Sequence, residues 1–197
     1  MTLLKNLARY NVILASNSPR RIQLLHGLDI RFETKTTAEI DESYPCDLEG
    51  EEIPMYIAEK KANAFADKLG KNDILITADT IVVLDDQVFE KPANKEEAQM
   101  MLQQLSDKTH QVITGVCITT PFRRKVFAVT TDVTFSYLSS DEIDYYLEMY
   151  RPYDKAGSYG VQDWIGYASV KSINGSFYNV MGLPVHRLYK ELDLMLT

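Results

Sequence analysis

Residues 12–21 read Val12-Ile13-Leu14-Ala15-Ser16-Asn17-Ser18-Pro19-Arg20-Arg21. The four apolar residues make a short buried strand. Small polar residues follow as a tight turn. Ser18 then stands as a helix cap, with Pro19 at the first helical position, where its missing N–H leaves no bond unmade. Ile22, Leu24 and Leu25 give this helix an apolar side, and Gly27 supplies its stop. A strand that turns directly into a helix sets the theme for the chain.

Outward from this stretch, strands and helices keep alternating. Residues 30–36 alternate and read as a strand, and 36–52 form the longest polar, loop-like stretch. A helix is predicted over about 53–69. The run ILITADTIVVL at 74–84 is strongly β-prone but carries the polar Asp79 and Thr80 in its middle. Asp85-Asp86 reads as a hairpin turn, with Val88-Phe89 as the return strand. Asn94 and Glu97 cap a helix reaching Leu105, with Ala98, Met101, Leu102 and Leu105 on its apolar side. Residues 111–119 and 125–135 read as two long strands, with Pro121-Phe122-Arg123 at their turn. Ser139 and Glu142 form a capping box for a helix ending near Tyr150. A glycine-rich segment and a helix over about 184–196 complete the chain. The fold class is α/β, a mixed twisted sheet with flanking helices. No boundary, repeat or linker is visible, so residues 1–197 read as a single domain.

Composition narrows the function. Of 197 residues, 45% are hydrophobic and 25% charged, which excludes disorder and collagen-like or coiled-coil chains. No apolar run approaches the roughly 20 residues that cross a bilayer. The net charge of -7 argues against non-specific binding of nucleic acid polymers, which needs a basic face. It leaves room for a single nucleotide, for which a few local cations suffice. The two cysteines, Cys46 and Cys117, lack CxxC spacing and read as isolated thiols. Lys5 and Arg9 interrupt the apolar residues at the start, so no secretory signal is expected and the address is cytoplasmic. A GxxxxGK[ST] loop, HExxH and GxSxG are all missing from the sequence. His26, His110 and His186 lie too far apart to suggest zinc, and Tyr145, Tyr146 and Tyr150 sit at helical spacings as packing residues.

Several places could hold chemistry. A helix N-terminus exposes unpaired N–H groups and about half a positive charge, so the turn at Ser16 can bind phosphate. Arg20 and Arg21 stand at the end of the dipole that disfavours cations, which makes sense if an anion binds there. A plain cap with two solvated arginines is the competing reading. Lys61 falls in an apolar row with Ile53, Ile57 and Phe65. It either snorkels to the surface or points its ammonium at an anion. Lys60 reads as a surface residue. Asp79 ends a run that looks buried, where a charge is costly unless paired or metal-bound. It also stands at a strand end, where open α/β folds gather ligands. The alternative is an acid that bonds a local turn with Thr80. Asp41 and Glu42 in the polar loop and Glu90-Lys91-Pro92 after the return strand add carboxylates and a cation, which could surround a metal-bound polyphosphate. In 155–162, KAGSYGVQ, small residues admit a ligand close to the backbone, and Gln162 could read the edge of a base. Turns alone would also explain this segment.

Taken together, ILASNSPRR, ITADTIVV, FEKP, KAGSYGVQ and INGSFYNVMGLPV resemble the ordered motifs of the Maf family of nucleotide pyrophosphatases, over about residues 12–192. The resemblance implies two lobes around a cleft, a fold similar to inosine triphosphate pyrophosphatases, a divalent metal (Mg or Mn) and a homodimer. It implies cleavage of a nucleoside triphosphate to monophosphate and pyrophosphate. It makes Asp79 the proton-accepting acid, with Lys61 and Lys91 beside it in catalysis. Ser16, Arg20 and Arg21 become the phosphate turn, and Glu42 and Asp79 the metal carboxylates. Arg20, Thr80 and Gln162 mark substrate choice. The ADT and KAGSYGVQ versions are similar to the branch acting on dTTP and UTP, with modified pyrimidine nucleotides as further substrates. Cleavage of 7-methyl-GTP or other modified nucleotides is the nearest alternative. A non-catalytic nucleotide-binding regulator of cell division is the alternative of another class. Lys60 departs from the family pattern, which has glutamate before the lysine.

Overall fold

The computed structural model describes residues 2–37 and 40–196. Residues 38 and 39, inside the polar stretch, lie outside the described residues. In chain order the elements are α1 (Thr2–Leu7), β1 (Asn11–Ala15), α2 (Pro19–His26), β2 (Glu33–Lys35) and α3 (Glu52–Asn63). Next come β3 (Asp73–Leu84), β4 (Gln87–Phe89), α4 (Lys95–Leu105), β5 (Thr109–Thr119), β6 (Arg124–Phe135) and α5 (Ser140–Tyr150). The last are α6 (Trp164–Ser169), β7 (Val170–Asn174), α7 (Phe177–Val180) and α8 (Val185–Leu196).

The strands form one seven-stranded sheet in the order β2-β1-β3-β5-β6-β7, with β4 paired to β3. β1 runs parallel to both β2 and β3, whereas β4 on β3 and β7 on β6 are antiparallel. The sheet is therefore mixed, with flanking helices, as its sequence predicts. Asp85 and Asp86 both adopt positive φ (49° and 66°), the twist that two-residue hairpins require.

The chain divides into two compact units. The first takes the residues up to Asp79, Thr114–Val129 and those from Gly182 on. The second takes Thr80–Ile113 and Thr130–Met181. In the first, Ile13, Ala15, Ala58, Ala62, Leu75 and Cys117 pack into one buried cluster. Gly115 lets α3 approach β5 main chain to main chain, since a Cβ there would lie 2.3 Å from Pro54 C and O. In the second, His110, Phe135 and Tyr159 meet edge to face.

Several expectations need correcting. Only Glu33–Lys35 of residues 30–36 is strand, because a three-residue edge partner of β1 is all the register supplies. α3 stops at Asn63, with a 3₁₀ turn at Ala66–Lys68 in place of a helix running to 69. Gly27 does end α2 as expected, with right-handed φ (-63°), and the left-handed residue falls two places later, at Asp29. α1, α6, β7 and α7 have no counterpart in the sequence reading.

Candidate active site

In the first unit, β3 carries the acid. Its residues 74–79 are all buried, as a strand between β1 and β5 should be. Thr77 and Asp79 share one face of the strand, because side chains alternate with period two. On α3, Ala58 and Lys61 share one face, three residues apart. Thr77 Oγ1 donates to Ala58 O at 2.6 Å, which locks helix to strand. One step further along both elements, Lys61 Nζ meets Asp79 Oδ1 at 2.7 Å. Lys61 is 3% exposed and Asp79 8%, so this lysine does not snorkel. Its ammonium also holds Glu42 Oε1 at 2.6 Å, with the Glu42 side chain 42% exposed. One buried cation thus gathers an acid from the sheet and an acid from the polar loop.

Lys60, one residue earlier, is more than a surface residue. Its Nζ donates to Asp41 Oδ2 at 2.9 Å and to Ser43 O at 2.8 Å. Asp41 in turn accepts from the Ser43 hydroxyl at 2.5 Å and from Ser43 N at 2.9 Å. The Ser43 hydroxyl first, and Lys60 second, hold the Asp41 carboxyl well below the usual carboxylate range. Neighbouring lysines on α3 therefore clip neighbouring acids of the loop.

The turn expected to bind phosphate lies at the end of β1. The parallel register pairs Leu14 with Ile76, and Ser16 and Ala78 stand two residues beyond that pair on their strands. Ser16 is buried and its hydroxyl accepts from Ser18 N at 3.2 Å. Ser18 caps α2 by accepting from Arg21 N at 3.4 Å, as its position predicts. Arg21 directs Nε to Gly182 O at 2.7 Å and Nη1 to Ala78 O at 2.9 Å. Much of its fork is thus spent on main chain. Burial pulls the Arg21 guanidinium below its ordinary value, Asp79 pushes back, Arg20 lowers it and Glu42 raises it. Arginine nonetheless stays a cation. Arg20 is half-buried in the first turn of the same helix.

Thr80, Lys91 and Gln162 belong to the second unit. Thr80 is half-buried on β3 and Lys91 is exposed after β4. Glu90 O accepts from Gly157 N at 3.2 Å, tying the FEKP segment to the glycine-rich one. Gln162 Nε2 donates to Asp163 Oδ1 at 2.9 Å. Asp163 Oδ2 accepts from Tyr146 Oη at 2.9 Å, and Tyr146 Oη accepts from Gly160 N at 3.1 Å. Sequence reasoning assigned Tyr146 to packing alone and did not single out Asp163. Among the described residues no cluster of three or more His, Cys, Asp or Glu could hold a metal. Asp79 and Glu42, both drawn to one Nζ, are the pair of hard oxygen donors that suits Mg²⁺ or Mn²⁺ when substrate phosphates and water complete the shell.

Asp79 lies in the interior of β3 and not at a strand end as expected, and it, with Glu42 of the loop, is balanced by a buried lysine beside a capped helix with two arginines, equipment for a phosphorylated ligand in a mixed α/β fold. The chain belongs to the Maf-like protein family, whose model matches residues 11–195. It is 57% identical over 190 residues to a protein of Parabacteroides distasonis named dTTP/UTP pyrophosphatase, covering 96% of this chain and 98% of that one. A Porphyromonas gingivalis protein of the same name is 54% identical over 192 residues, covering 96% of each. The Flavobacterium johnsoniae protein of that name is 45% identical over 193 residues, covering 98% and 99%. Among solved structures, the Staphylococcus aureus Ham1 protein aligns at 16% identity and TM-score 0.47, over 64% of this chain and 71% of that one. A likeness of that size adds nothing to the assignment.

Proposed function

We propose that this chain hydrolyses dTTP and UTP to the nucleoside monophosphate and pyrophosphate. The near-full-length identity to proteins named for that reaction supports the substrate class. The observation that carries the chemistry is the Asp79–Lys61–Glu42 triad, an acid within β3 balanced by a buried ammonium. Asp79 accepts a proton from the water that attacks between the α and β phosphates. Lys61 offsets the charge of both carboxylates and holds them in place. Ser16 and Arg20 bind phosphate oxygens at the N-terminus of α2, where N–H groups and the helix dipole favour anions. Arg21 fixes the main chain around them. Lys91 adds a cation to the phosphate chain, and Thr80 and Gln162 select the nucleoside. Positioning and charge stabilisation supply most of the acceleration in such transfers.

A divalent metal, Mg or Mn, fits Asp79 and Glu42, and when bound it neutralises charge on the phosphates. A homodimer in the cytoplasm, implied by the resemblance, completes the reading. Among the described residues no helix is long and apolar enough to cross a membrane.

The test is pyrophosphate release from a panel of nucleoside triphosphates with Mg²⁺ or Mn²⁺. dTTP and UTP are expected to lead. Faster cleavage of GTP or 7-methyl-GTP overturns the substrate assignment. Asp79→Asn keeps the shape and removes the base. Its turnover is expected to fall by about 10²–10⁴, as for loss of a general base, with the melting curve intact. Near-normal turnover by that variant removes Asp79 from the role.

A further inference from the structure

Thr77 places a hydroxyl inside a buried apolar run. Residues 74–76 and 78 of β3 are apolar and buried, and Thr77 among them is 0% exposed. Valine would fill the same space with a methyl in place of the oxygen, and a hydroxyl taken from water without a partner is unfavourable. Here Oγ1 donates to Ala58 O at 2.6 Å, with Cys117 O further off at 3.5 Å. A hydroxyl has one proton to give, and the short contact takes it. Thr77 is thereby tied to the helix α3 more firmly than to the neighbouring strand β5.

The rest of the contact between α3 and the sheet is smooth. Ala58 and Ala62 are fully buried and lie in one cluster with Ile13, Leu75 and Cys117. At Gly115 the main chain of β5 lies directly against that of Pro54. Small residues of this kind set how near the helix lies. Apolar contact has no direction, so it does little to fix how far the helix is turned or slid. The Thr77 bond has a direction and restrains both. Lys61 leaves α3 one turn beyond Ala58, and Asp79 leaves β3 on the face of Thr77. The Lys61 side chain is 4% exposed, so its packed stem passes a movement of α3 on to Nζ.

We propose that Thr77 is a positioning residue: its hydroxyl fixes the turn and slide of α3 against β3, and with them the place of the Lys61 ammonium beside the Asp79 carboxylate. The inference rests on the catalytic reading of that pair given above and adds the part of the core that aims it.

The experiment measures kcat and KM for dTTP and UTP, with melting curves, in the parent, Thr77→Ser and Thr77→Val. Serine keeps the hydroxyl and loses a methyl, and valine keeps the shape and loses the hydroxyl. As a carbonyl inside α3, Ala58 O retains the helix's own ladder in the valine variant. Both variants are expected to melt about 2–4 °C below the parent, the shift that one lost methyl or one lost hydrogen bond brings in a chain of this size. Their rates are expected to part. Thr77→Ser should stay within about twofold of the parent, whereas kcat of Thr77→Val should fall by about tenfold or more at nearly unchanged KM, since small misplacements of reacting groups are costly. If Thr77→Val fails to fold, Thr77→Ala carries the comparison, because it differs from Thr77→Ser by the hydroxyl alone. Equal rates with and without the hydroxyl, whether near the parent or both reduced, overturn the inference and leave the pyrophosphatase reading intact, as does a loss carried by KM instead of kcat. A parent that releases pyrophosphate from neither nucleotide removes that reading, and this inference with it.

Discussion

The two units use the same side-chain types in opposite ways. In the first, one ammonium, Lys61, offsets two carboxylates, Asp79 and Glu42. In the second, Tyr146, Asp163 and Gln162 form a hydrogen-bond chain whose information lies in its direction, and His110 sits neutral beside Tyr159. Charge clusters suit an ionic, reactive phosphate chain, whose recognition is mostly Coulombic. Directed dipoles suit a neutral base, whose identity lies in where donors and acceptors stand. Substitutions that alter charge should therefore fall hardest on the first unit.

The largest break is expected from Lys61→Met. It leaves Asp79 buried beside no ammonium, and unpairing a buried ion is destabilising by about 3–5 kcal/mol. Urea unfolding should report that loss together with loss of pyrophosphate release. A variant as stable as the parent would mean that the triad does not hold the first unit together.

A smaller effect, tied to the second unit, appears on acidification. His110 is held neutral, with burial pushing its pKa down to about 4 from 6.5. Between those values the unfolded chain takes up a proton that the folded chain refuses. Stability is therefore unaffected above about pH 6.5 and falls as pH drops toward 4, by about 3 kcal/mol over the window. His110→Gln, which can still bond Tyr159, should flatten that part of the pH profile of thermal melting. An unchanged profile would remove His110 as its source.

The smallest effect belongs to the exposed clip. Lys60→Met releases Asp41 and Ser43 but leaves Lys61 in place. Stability should hardly change, because exposed ion pairs contribute little. Turnover should fall a few-fold through looser placement of Glu42, and high salt should reproduce the loss in the parent. Equal rates for parent and variant at low salt would show that the loop holds its place without the clip.

Much of this could be read along the chain, for identifiable reasons. Ser18, Asn94 and Ser139 announce their helices because a cap is a local contract between residues three apart. Asp79 stood out as a charge in a buried run, and Lys61 as a cation in an apolar row. Their meeting was not legible, since it depends on the register of α3 against β3. Glu42 stood out only as one of two neighbouring acids in a polar loop, with nothing local to tie it to Lys61. β7 escaped because its five residues are mostly exposed and carry no apolar alternation. Asp163 escaped because the glycine-rich segment announces no helix there, and only the fold shows where its side chain turns.

The two thiols differ sharply in their surroundings. Cys117 is buried in the first unit's apolar cluster, and burial pushes its thiol pKa up, while Cys46 is exposed in the loop that carries Glu42. Thiolate chemistry follows access and acidity. A maleimide fluorophore offered to the folded protein will thus attach at Cys46 alone, four residues from Glu42. Nature has left there a ready-made handle for watching, by emission in real time, the loop respond as nucleotide arrives and product leaves.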